Sequence, residues 1–549
     1  MIGILLNDNA YEQDIRELLM AFYPGETFVH EEREDLDLAV KGKVNGDRTE
    51  FGLSLVFSGS SRFRPGRAAS HHPAAEAGLE VLAPETAAKA DLEALDLELA
   101  AEAGLEALAP EIAAKADLEA LDPEVAAECR AAWESPVIPV RYGDRFETKN
   151  RIKRRLYALL LCQTGKQLPW GTLTGIRPTK IAMTKLAAGE TPEAIFRHMK
   201  ETYFTSDEKI RLSIEIARRE RQLLAEVDHQ KGYSLYIGIP FCPTTCLYCS
   251  FTSYPIGKWK DRTGEYFSAL YRELDYVAEK KKGCPLDTVY FGGGTPTSLS
   301  AEDLDQLITR VKATLDWSTV QEFTVEAGRP DSITREKLEV LKKHGVSRIS
   351  INPQTMKEET LRLIGRRHTV EDVKDRFRLA REAGFTNINM DLIIGLPEEG
   401  LEDVRATMEA VKELAPDSVT VHSLAIKRAA RLNTMKEVYK DYKIENTQEM
   451  VDLTARYARE MGLEPYYLYR QKNMAGNFEN VGYAAPGKAC IYNVLIMEEQ
   501  QTIIGCGAGT TTKRLYPEEN RIERAENVKD VEQYIARVDE MIARKEALL

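Results

Sequence analysis

Three cysteines, Cys242, Cys246 and Cys249, lie in the segment YIGIPFCPTTCLYCSF at 236–251. Their CxxxCxxC spacing allows three thiolates to bind three irons of a cubane 4Fe-4S cluster, which leaves the fourth iron without a protein ligand. Thiolates also bind zinc, but a zinc site ordinarily needs a fourth Cys or His nearby. The remaining cysteines offer no such ligand close to the motif: Cys129, Cys162, Cys284, Cys490 and Cys506. The spacing therefore favours an iron-sulfur cluster with one open coordination position over zinc.

A glycine-rich segment, FGGGTPT at 291–297, follows the cysteine motif in the chain. It ends an apolar run that is typical of a buried strand. Consecutive glycines let a backbone approach a ligand closely and present N–H groups to a charged end of that ligand. Gly292, Gly293, Gly294 and Thr295 are therefore candidate cofactor-binding residues.

Four polar residues lie at or just after the ends of further predicted strands. They are Glu326 in FTVEAG, Gln354 in RISINPQT, Arg366 in LIGRRH and Asp391 in INMDLIIGLP. The Glu326 carboxylate is an acceptor suited to an ammonium or a ribose hydroxyl. Each residue taken singly also fits a salt-bridged surface position. As a set at strand ends, they predict a ligand site.

These residues are carried by a regular alternation of strands and helices. Apolar runs predict strands at 235–239, 288–291, 322–325, 348–351, 388–394 and 418–421, and helical patterns occur at 262–281, 301–315, 334–344, 369–383 and 401–414. Such repetition requires parallel strands with right-handed crossovers, and chemistry then collects at the carboxyl ends of the strands. We expect an α/β domain over 229–425, a partial (β/α)6 barrel or an open parallel sheet.

The region before this repeat predicts a separate α/β and helical domain. Strands are predicted at 1–6, 36–44 and 51–57, with a helix at 11–22 and long helical stretches at 149–162 and 191–227. The predicted domain comprises 1–57 with 134–228. The residues after the repeat, 426–549, form a C-terminal extension that is expected to close the site.

The two parts of the N-terminal domain are separated by a biased insertion at 58–133. It contains a tandem duplication, AAEAGLEVLAPETAAKADLEALDLEL followed by AAEAGLEALAPEIAAKADLEALDPEV, and carries 6 basic and 15 acidic side chains. Repeated prolines restrict it to short helices. We expect a solvated, partly disordered expansion, with a partner-docking arm as the alternative.

Bulk composition limits the class of protein. The 549 residues exceed the size of a single hydrophobic core, so more than one domain is expected. No apolar stretch approaches the roughly 20 residues needed to span a bilayer, and the opening MIGILL indicates a strand rather than a leader peptide. The formal net charge of −13 argues against a nucleic-acid partner. We expect a cytoplasmic protein.

The cysteine triad, the aromatic Tyr248 before its last cysteine and the following GGGTPT together resemble the radical S-adenosylmethionine (SAM) superfamily. The resemblance implies a 4Fe-4S cluster whose open iron binds SAM, which a reduced cluster cleaves to a 5′-deoxyadenosyl radical. It further implies SAM contacts from Tyr236, Tyr248, the glycine segment and Glu326. A second SAM molecule is implied at the positions that match the family's second site: Gln354, Arg366, Asp391 and Ala425.

From about 233 to 512 the chain resembles more closely the oxygen-independent coproporphyrinogen III oxidase/dehydrogenase group, which comprises HemN, HemW and the HemZ branch. That resemblance implies oxidative decarboxylation of coproporphyrinogen III to protoporphyrinogen IX in haem biosynthesis. It also implies a low-potential electron donor such as flavodoxin or ferredoxin. Candidates for gripping the substrate propionates are polar residues of the C-terminal section: Arg470, Lys472, Asn473 and Asn493.

Two positions depart from the family pattern. Gly238 stands where HemN and HemW have a histidine before the cluster loop, and Phe251 stands where HemN has an additional cysteine. Both changes concern the use of the radical rather than its formation. Two alternatives therefore stay open: a class C type radical SAM methyltransferase, and a haem chaperone of the HemW kind.

Overall fold

The computed structural model describes residues 1–33, 35–58, 63, 105–107, 121–227, 230–427, 429–439, 441–471, 478–519 and 521–549. Most of the predicted insertion lies outside these residues, as do Lys472 and Asn473. The chain forms two compact units: Met1–Thr174 with Glu193–Ile210, and Gly175–Pro192 with Arg211–Leu549. The predicted N-terminal domain, 1–57 with 134–228, contributes residues to both units. None of the helices in the described part of the chain is long and apolar enough to cross a bilayer.

Nineteen strands and eighteen helices are described. The strands are β1 Ile2–Leu6, β2 Phe28–Val29, β3 Leu38–Val44, β4 Glu50–Ser58, β5 Leu105–Ala107, β6 Val137–Pro139, β7 Tyr233–Ile239, β8 Phe241–Cys242, β9 Tyr254–Pro255, β10 Leu286–Gly293, β11 Glu322–Gly328, β12 Arg348–Ile351, β13 Ile388–Ile394, β14 Ser418–Ser423, β15 Glu464–Tyr469, β16 Asn480–Ala484, β17 Thr502–Cys506, β18 Thr511–Tyr516 and β19 Arg521–Glu526. The helices are α1 Glu12–Phe22, α2 Pro123–Glu134, α3 Arg145–Thr164, α4 Thr179–Ala187, α5 Pro192–Tyr203, α6 Asp207–Ala225, α7 Thr263–Lys280, α8 Ala301–Thr314, α9 Arg335–Lys343, α10 Glu358–Leu363, α11 Val370–Glu382, α12 Leu401–Leu414, α13 Arg431–Thr434, α14 Lys436–Tyr439, α15 Gln448–Glu460, α16 Ile491–Met497, α17 Val531–Ala536 and α18 Val538–Leu548.

The first unit is a mixed sheet covered by helices. Its strand order is β2-β1-β3-β4-β5, with β6 also paired to β4. Helix α2 packs into the same core as α1 and α3, because Val125 and Cys129 are buried there with Leu156. Proline at the first position of α2 is favourable because that residue needs no backbone N–H partner. The last part of the predicted insertion, 123–133, is therefore packed rather than solvated.

The second unit is built on an eleven-stranded sheet in the order β15-β16-β14-β13-β12-β11-β10-β7-β17-β18-β19. Its centre consists of the six predicted strands, β7 and β10 to β14, which run parallel to one another. Helices α7, α8, α9, α11 and α12 follow strands in the predicted alternation. The predicted α/β class is confirmed. The strand order does not close on itself among the described residues, which agrees with a partial barrel.

The C-terminal extension adds strands at both edges of this parallel core. β16 pairs antiparallel with β14 at one edge, and β17 pairs parallel with β7 at the other. The loop after β17 is held by a buried ion pair, in which Lys545 Nζ lies 2.5 Å from Glu273 Oε1. Glu273 also accepts the Gly507 N–H at 2.7 Å, and the Tyr266 hydroxyl donates to Gly238 O at 2.6 Å. The buried Glu273 and Lys545 charges are thus paired and hydrogen-bonded, which offsets the free energy lost when they are removed from water.

Candidate active site

The cysteine loop follows directly from β7 and is anchored by backbone hydrogen bonds to distant segments. The Leu247 N–H donates to Ile364 O at 3.0 Å, and the Leu432 N–H donates to Leu247 O at 3.0 Å. The Thr244 hydroxyl donates to Gly365 O at 2.9 Å. The loop is therefore held from two sides, between the turn after α10 and the start of α13.

The three thiols lie in one partly buried environment. Cys242 Sγ lies 3.4 Å from Thr295 Oγ1, and the Cys249 N–H donates to Cys246 O at 3.3 Å. Burial raises the pKa of Cys242 to about 12. The Thr295 hydrogen bond opposes this shift, and the neighbouring Cys249 and Cys246 add to it. Thiolate ligation must therefore displace protons from this pocket, which couples metal binding to pH.

The donor set fits a 4Fe-4S cluster better than a mononuclear ion. A zinc ion would ordinarily need a fourth Cys or His beside the three thiols, whereas a cubane takes three thiolates and keeps one iron open. Two buried guanidinium groups adjoin Cys246, since Arg329 Nη1 lies 3.9 Å from its sulfur and Arg366 also contacts it. Cations at this position suit an anionic thiolate cluster. The role of the three cysteines as its ligands stays a prediction.

The three glycines at the end of β10 allow it to pack closely against the cysteine loop. The Gly294 N–H donates to Ile239 O at 2.8 Å, and the Thr295 N–H donates to Phe241 O at 2.7 Å. A Cβ on Gly294 would lie 2.5 Å from Phe241 O. These two N–H groups therefore hold the loop, rather than remaining available to a ligand as the sequence reasoning assumed.

Glu326 on β11 lies in a pocket lined by tyrosines. The Tyr290 hydroxyl donates to Glu326 Oε1 at 2.8 Å, and the rings of Tyr236 and Tyr290 are stacked with centroids 5.8 Å apart. A Cβ on Gly292 would lie 2.9 Å from the Tyr236 hydroxyl and 3.0 Å from Glu326 Oε1. Burial raises the pKa of Glu326 to about 7, partly opposed by the Tyr290 hydrogen bond. Because Gly292 has no side chain, it leaves room for the Tyr236 hydroxyl and the Glu326 carboxylate.

Two residues of the predicted second SAM site, Gln354 and Asp391, are in contact, whereas Arg366 contacts residues outside that set. Gln354 adopts a left-handed conformation, φ 70°, and its N–H donates to Asp391 O at 3.0 Å. Arg366 donates to the Tyr248 hydroxyl at 3.3 Å and to Asn352 O. Ala425 follows the end of β14. A non-glycine residue in the left-handed region is uncommon and marks a position held by its surroundings.

The predicted substrate residues are only partly described. Arg470 is 4% exposed and follows the end of β15, and its backbone N–H donates to Ile176 O at 2.7 Å. Asn493 lies in α16, where its amide contacts the Tyr466 hydroxyl at 3.5 Å. Lys472 and Asn473 lie outside the described residues. Asn493 therefore lies beside a buried aromatic cluster that includes Tyr466 and Tyr467, whereas Arg470 follows directly after β15.

Comparison with known proteins identifies the family. The Radical SAM superfamily model matches residues 236–411. The chain is 45% identical over 397 residues to the oxygen-independent coproporphyrinogen-III oxidase-like protein HemZ of Bacillus subtilis, covering 72% of this chain and 79% of that protein. The chain belongs to the HemZ family within the radical SAM superfamily.

Other relatives match shorter parts of the chain. The heme chaperone HemW of Bacillus subtilis is 40% identical over 194 residues, which cover 35% of this chain and 50% of HemW. The oxygen-independent coproporphyrinogen III oxidase of Salmonella typhimurium is 29% identical over 224 residues, 41% of this chain and 48% of that enzyme. The solved HemN of Escherichia coli aligns at 23% identity with a TM-score of 0.46, covering 58% of this chain and 72% of HemN.

For this HemZ family member, the packing around β7 explains the glycine at 238. A Cβ there would lie 2.5 Å from Thr510 Cγ2, because the loop after β17 packs directly against β7. A histidine would not fit without displacing Thr510. Phe251, the other departure from the HemN pattern, has 75% of its surface exposed and faces solvent rather than the core.

The sequence reasoning missed three side chains of this site. Arg329 donates to Thr244 O at 3.0 Å and to its hydroxyl at 2.6 Å, which fixes the cysteine loop. Tyr290 binds Glu326. His422 lies on β14 with Nε2 4.0 Å from Asp391 Oδ1, and burial lowers its pKa. All three lie on or just after a parallel strand, so the expectation that site residues collect near the carboxyl ends of these strands could have identified them.

Proposed function

We propose that the chain catalyses the oxygen-independent oxidative decarboxylation of coproporphyrinogen III to protoporphyrinogen IX. The observation that carries this proposal is the similarity to HemZ, which extends over 79% of that oxidase-like protein. Similarity to the oxygen-independent oxidase of Salmonella typhimurium supports the same reaction. Each of the two converted propionates becomes a vinyl group by losing carbon dioxide, one hydrogen atom, which ends in 5′-deoxyadenosine formed from SAM, and one further electron, which passes to a one-electron acceptor.

The chain's own residues divide the work of forming the radical. Cys242, Cys246 and Cys249 hold the cluster, and Arg329 fixes their loop and balances its charge. A 4Fe-4S cluster of this family, when bound and reduced, supplies reductive cleavage of SAM to a hydrogen-abstracting radical. Glu326 accepts hydrogen bonds from a SAM ammonium or ribose.

We further propose that two SAM molecules bind. The second binds at Gln354, Arg366, Asp391 and Ala425, where a guanidinium and a carboxylate are available to the charged amino-acid end of SAM. Equilibrium binding of labelled SAM to the reconstituted protein tests this: two equivalents per chain are expected, and one would contradict it.

The substrate arrangement follows from the chemistry of a tetrapyrrole with four propionates. Arg470 grips a propionate through a charge-assisted hydrogen bond, and Lys472, Asn473 and Asn493 assist. Arginine and lysine side chains are the natural partners of carboxylates, which supports a tetracarboxylate macrocycle as the substrate.

A second candidate function is haem binding without catalysis. The 40% identity to the heme chaperone HemW over 194 residues favours it as the alternative. Methyl transfer from SAM is a further possible outcome of the same experiment.

The test is anaerobic incubation of the reconstituted protein with SAM, dithionite and coproporphyrinogen III, with all products identified by mass spectrometry. The proposal expects protoporphyrinogen IX, carbon dioxide and 5′-deoxyadenosine. S-adenosylhomocysteine with a methylated product would replace the proposal by methyl transfer. Stable haem binding without any of these products would replace it by the chaperone function.

A further inference from the structure

An open cleft lined by arginines lies beside the cysteine loop. Its floor is formed by Pro243, Thr244 and Thr245, between the first two cysteines, and its rim includes Arg362, Arg367 and Arg431. The buried Arg366 of the proposed second SAM site also lines it, so the cleft borders that site. We call it the arginine cleft. We propose that the arginine cleft is the docking surface for an acidic, low-potential electron-carrier protein that reduces the cluster. The proposal rests on the radical SAM chemistry of the family and not on the identity of the tetrapyrrole reaction.

The rim carries positive charge that is little used inside the protein. The side chains of Arg367 and Arg431 form no hydrogen bond or ion pair with another described residue, and both residues are exposed. Arg362 donates to the Glu358 backbone carbonyl at 3.3 Å and has a long contact with Glu359, 3.8 Å between two side chains that are 71% and 74% exposed. Ion pairs as exposed as this contribute little. The rim charge is therefore available to a partner.

The floor of the cleft is directly connected to the predicted cluster ligands. Thr244 lies between Cys242 and Cys246 in the chain. Arg329 Nη1 donates to Thr244 O at 3.0 Å and lies 3.9 Å from Cys246 Sγ. A partner seated in the cleft would therefore rest against the loop that carries the cluster, which provides a short path for an electron.

The lining distinguishes a protein partner from a small ligand. The cleft encloses about 750 Å³, which would admit a small molecule, but its lining residues include no aromatic side chain. Small-ligand pockets are predominantly apolar and aromatic, whereas an open, strongly charged surface is typical of electrostatically steered protein encounters. Of the net charge of −13, −9 lies in the insertion at 58–133 (6 basic and 15 acidic side chains), so the rest of the chain is close to neutral and the positive rim is the feature that would orient an acidic carrier.

The experiment compares a protein reductant with a chemical one. The double variant Arg367→Glu with Arg431→Glu is assayed for 5′-deoxyadenosine formation without substrate, driven either by a bacterial flavodoxin hydroquinone or by dithionite. Arg378→Glu with Arg456→Glu, on the surface helices α11 and α15, is the matched control. Flavodoxin binding to each variant is measured separately as a Kd, between about 0.01 M and about 0.15 M salt.

We expect the cleft variant to lose roughly 10-fold or more in flavodoxin-driven rate and in flavodoxin affinity, with a weaker salt dependence. Its dithionite-driven rate and its Tm should match those of the control. An unchanged flavodoxin Kd, or equal losses with both reductants, would overturn the proposal. A selective loss of coproporphyrinogen binding would instead assign the cleft to the substrate. Because SAM cleavage is measured without substrate, failure of the decarboxylation proposal would leave this test intact.

Discussion

The Tyr290 hydroxyl donates a hydrogen bond to Glu326 Oε1 over 2.8 Å, on two neighbouring parallel strands, β10 and β11. Burial raises the pKa of Glu326 to about 7, and this hydrogen bond opposes the rise because it stabilises the carboxylate. The charge of Glu326 therefore changes within the physiological pH range. The Tyr290 hydrogen bond limits how far the pKa of Glu326 rises above the ordinary value for a glutamate.

SAM binding should consequently depend on pH. Glu326 is ionised above about pH 7, so affinity should be high there and should fall as the pH drops and the carboxylate is protonated. Loss of a charge-assisted hydrogen bond costs about 1.5–3 kcal/mol, roughly 10- to 150-fold in affinity. Glu326→Gln should bind weakly at every pH. Equilibrium binding of labelled SAM between pH 6 and pH 8, roughly one unit either side of the transition, measures this.

Tyr290→Phe is the diagnostic companion to that variant. Removing the hydroxyl should raise the Glu326 pKa further, so the affinity transition should move to higher pH while the maximum affinity is retained. A wild-type affinity that does not vary across this range would show that the Glu326 carboxylate does not contact SAM.

The contact between Gly238 and Thr510 should give a measurable coupling free energy between substitutions at the two positions. Gly238→Ala places a Cβ 2.5 Å from Thr510 Cγ2, and overpacking of this kind costs about 1–3 kcal/mol. Thr510→Ser removes that methyl group and keeps the hydroxyl, which donates to Gly507 O at 2.8 Å. The double variant should therefore recover most of the stability lost by Gly238→Ala. Urea unfolding of the four proteins in a double-mutant cycle measures the coupling, and additive losses would contradict the contact.

The central parallel sheet could be predicted because each of its elements carries a local signal. The apolar runs at 348–351 and 388–394 and the helical pattern at 401–414 coincide with β12, β13 and α12. The edge strands were not predicted. β17 lies more than 260 residues from β7, its neighbour in the sheet, and no local pattern identifies such a partner.

The site was predictable at the level of residue type but not of contact. Strand-end positions identified Glu326 and Asp391, and spacing identified the cysteines. The contact of Arg329 with Thr244 joins positions 85 residues apart in the chain, so only the fold reveals it. The use of the Gly294 N–H in holding the cysteine loop was likewise hidden, because a glycine run indicates close approach without naming what approaches.

Arg470 should separate formation of the radical from its use. If Arg470 grips a propionate, Arg470→Ala should reduce coproporphyrinogen affinity roughly 10- to 150-fold, the equivalent of about 1.5–3 kcal/mol. SAM cleavage without substrate should be unchanged. The coproporphyrinogen affinity of Arg470→Lys, which keeps the charge but not the planar guanidinium, should lie between that of the wild type and that of Arg470→Ala. Parallel loss of 5′-deoxyadenosine and of decarboxylated product in Arg470→Ala would assign the residue to the SAM site or to the fold.

The most direct test of the account is the electron paramagnetic resonance spectrum of the reduced, anaerobically reconstituted protein, recorded with and without SAM. A cluster held by three cysteines has one iron open to SAM, so adding SAM should change the spectrum. Single Ala variants of Cys242, Cys246 and Cys249 should each lose the cluster signal. Cys129→Ala, which alters a thiol buried in the core of the first unit, should retain both the signal and its response to SAM. A full cluster in all three loop variants, or a wild-type spectrum unaffected by SAM, would contradict the assignment.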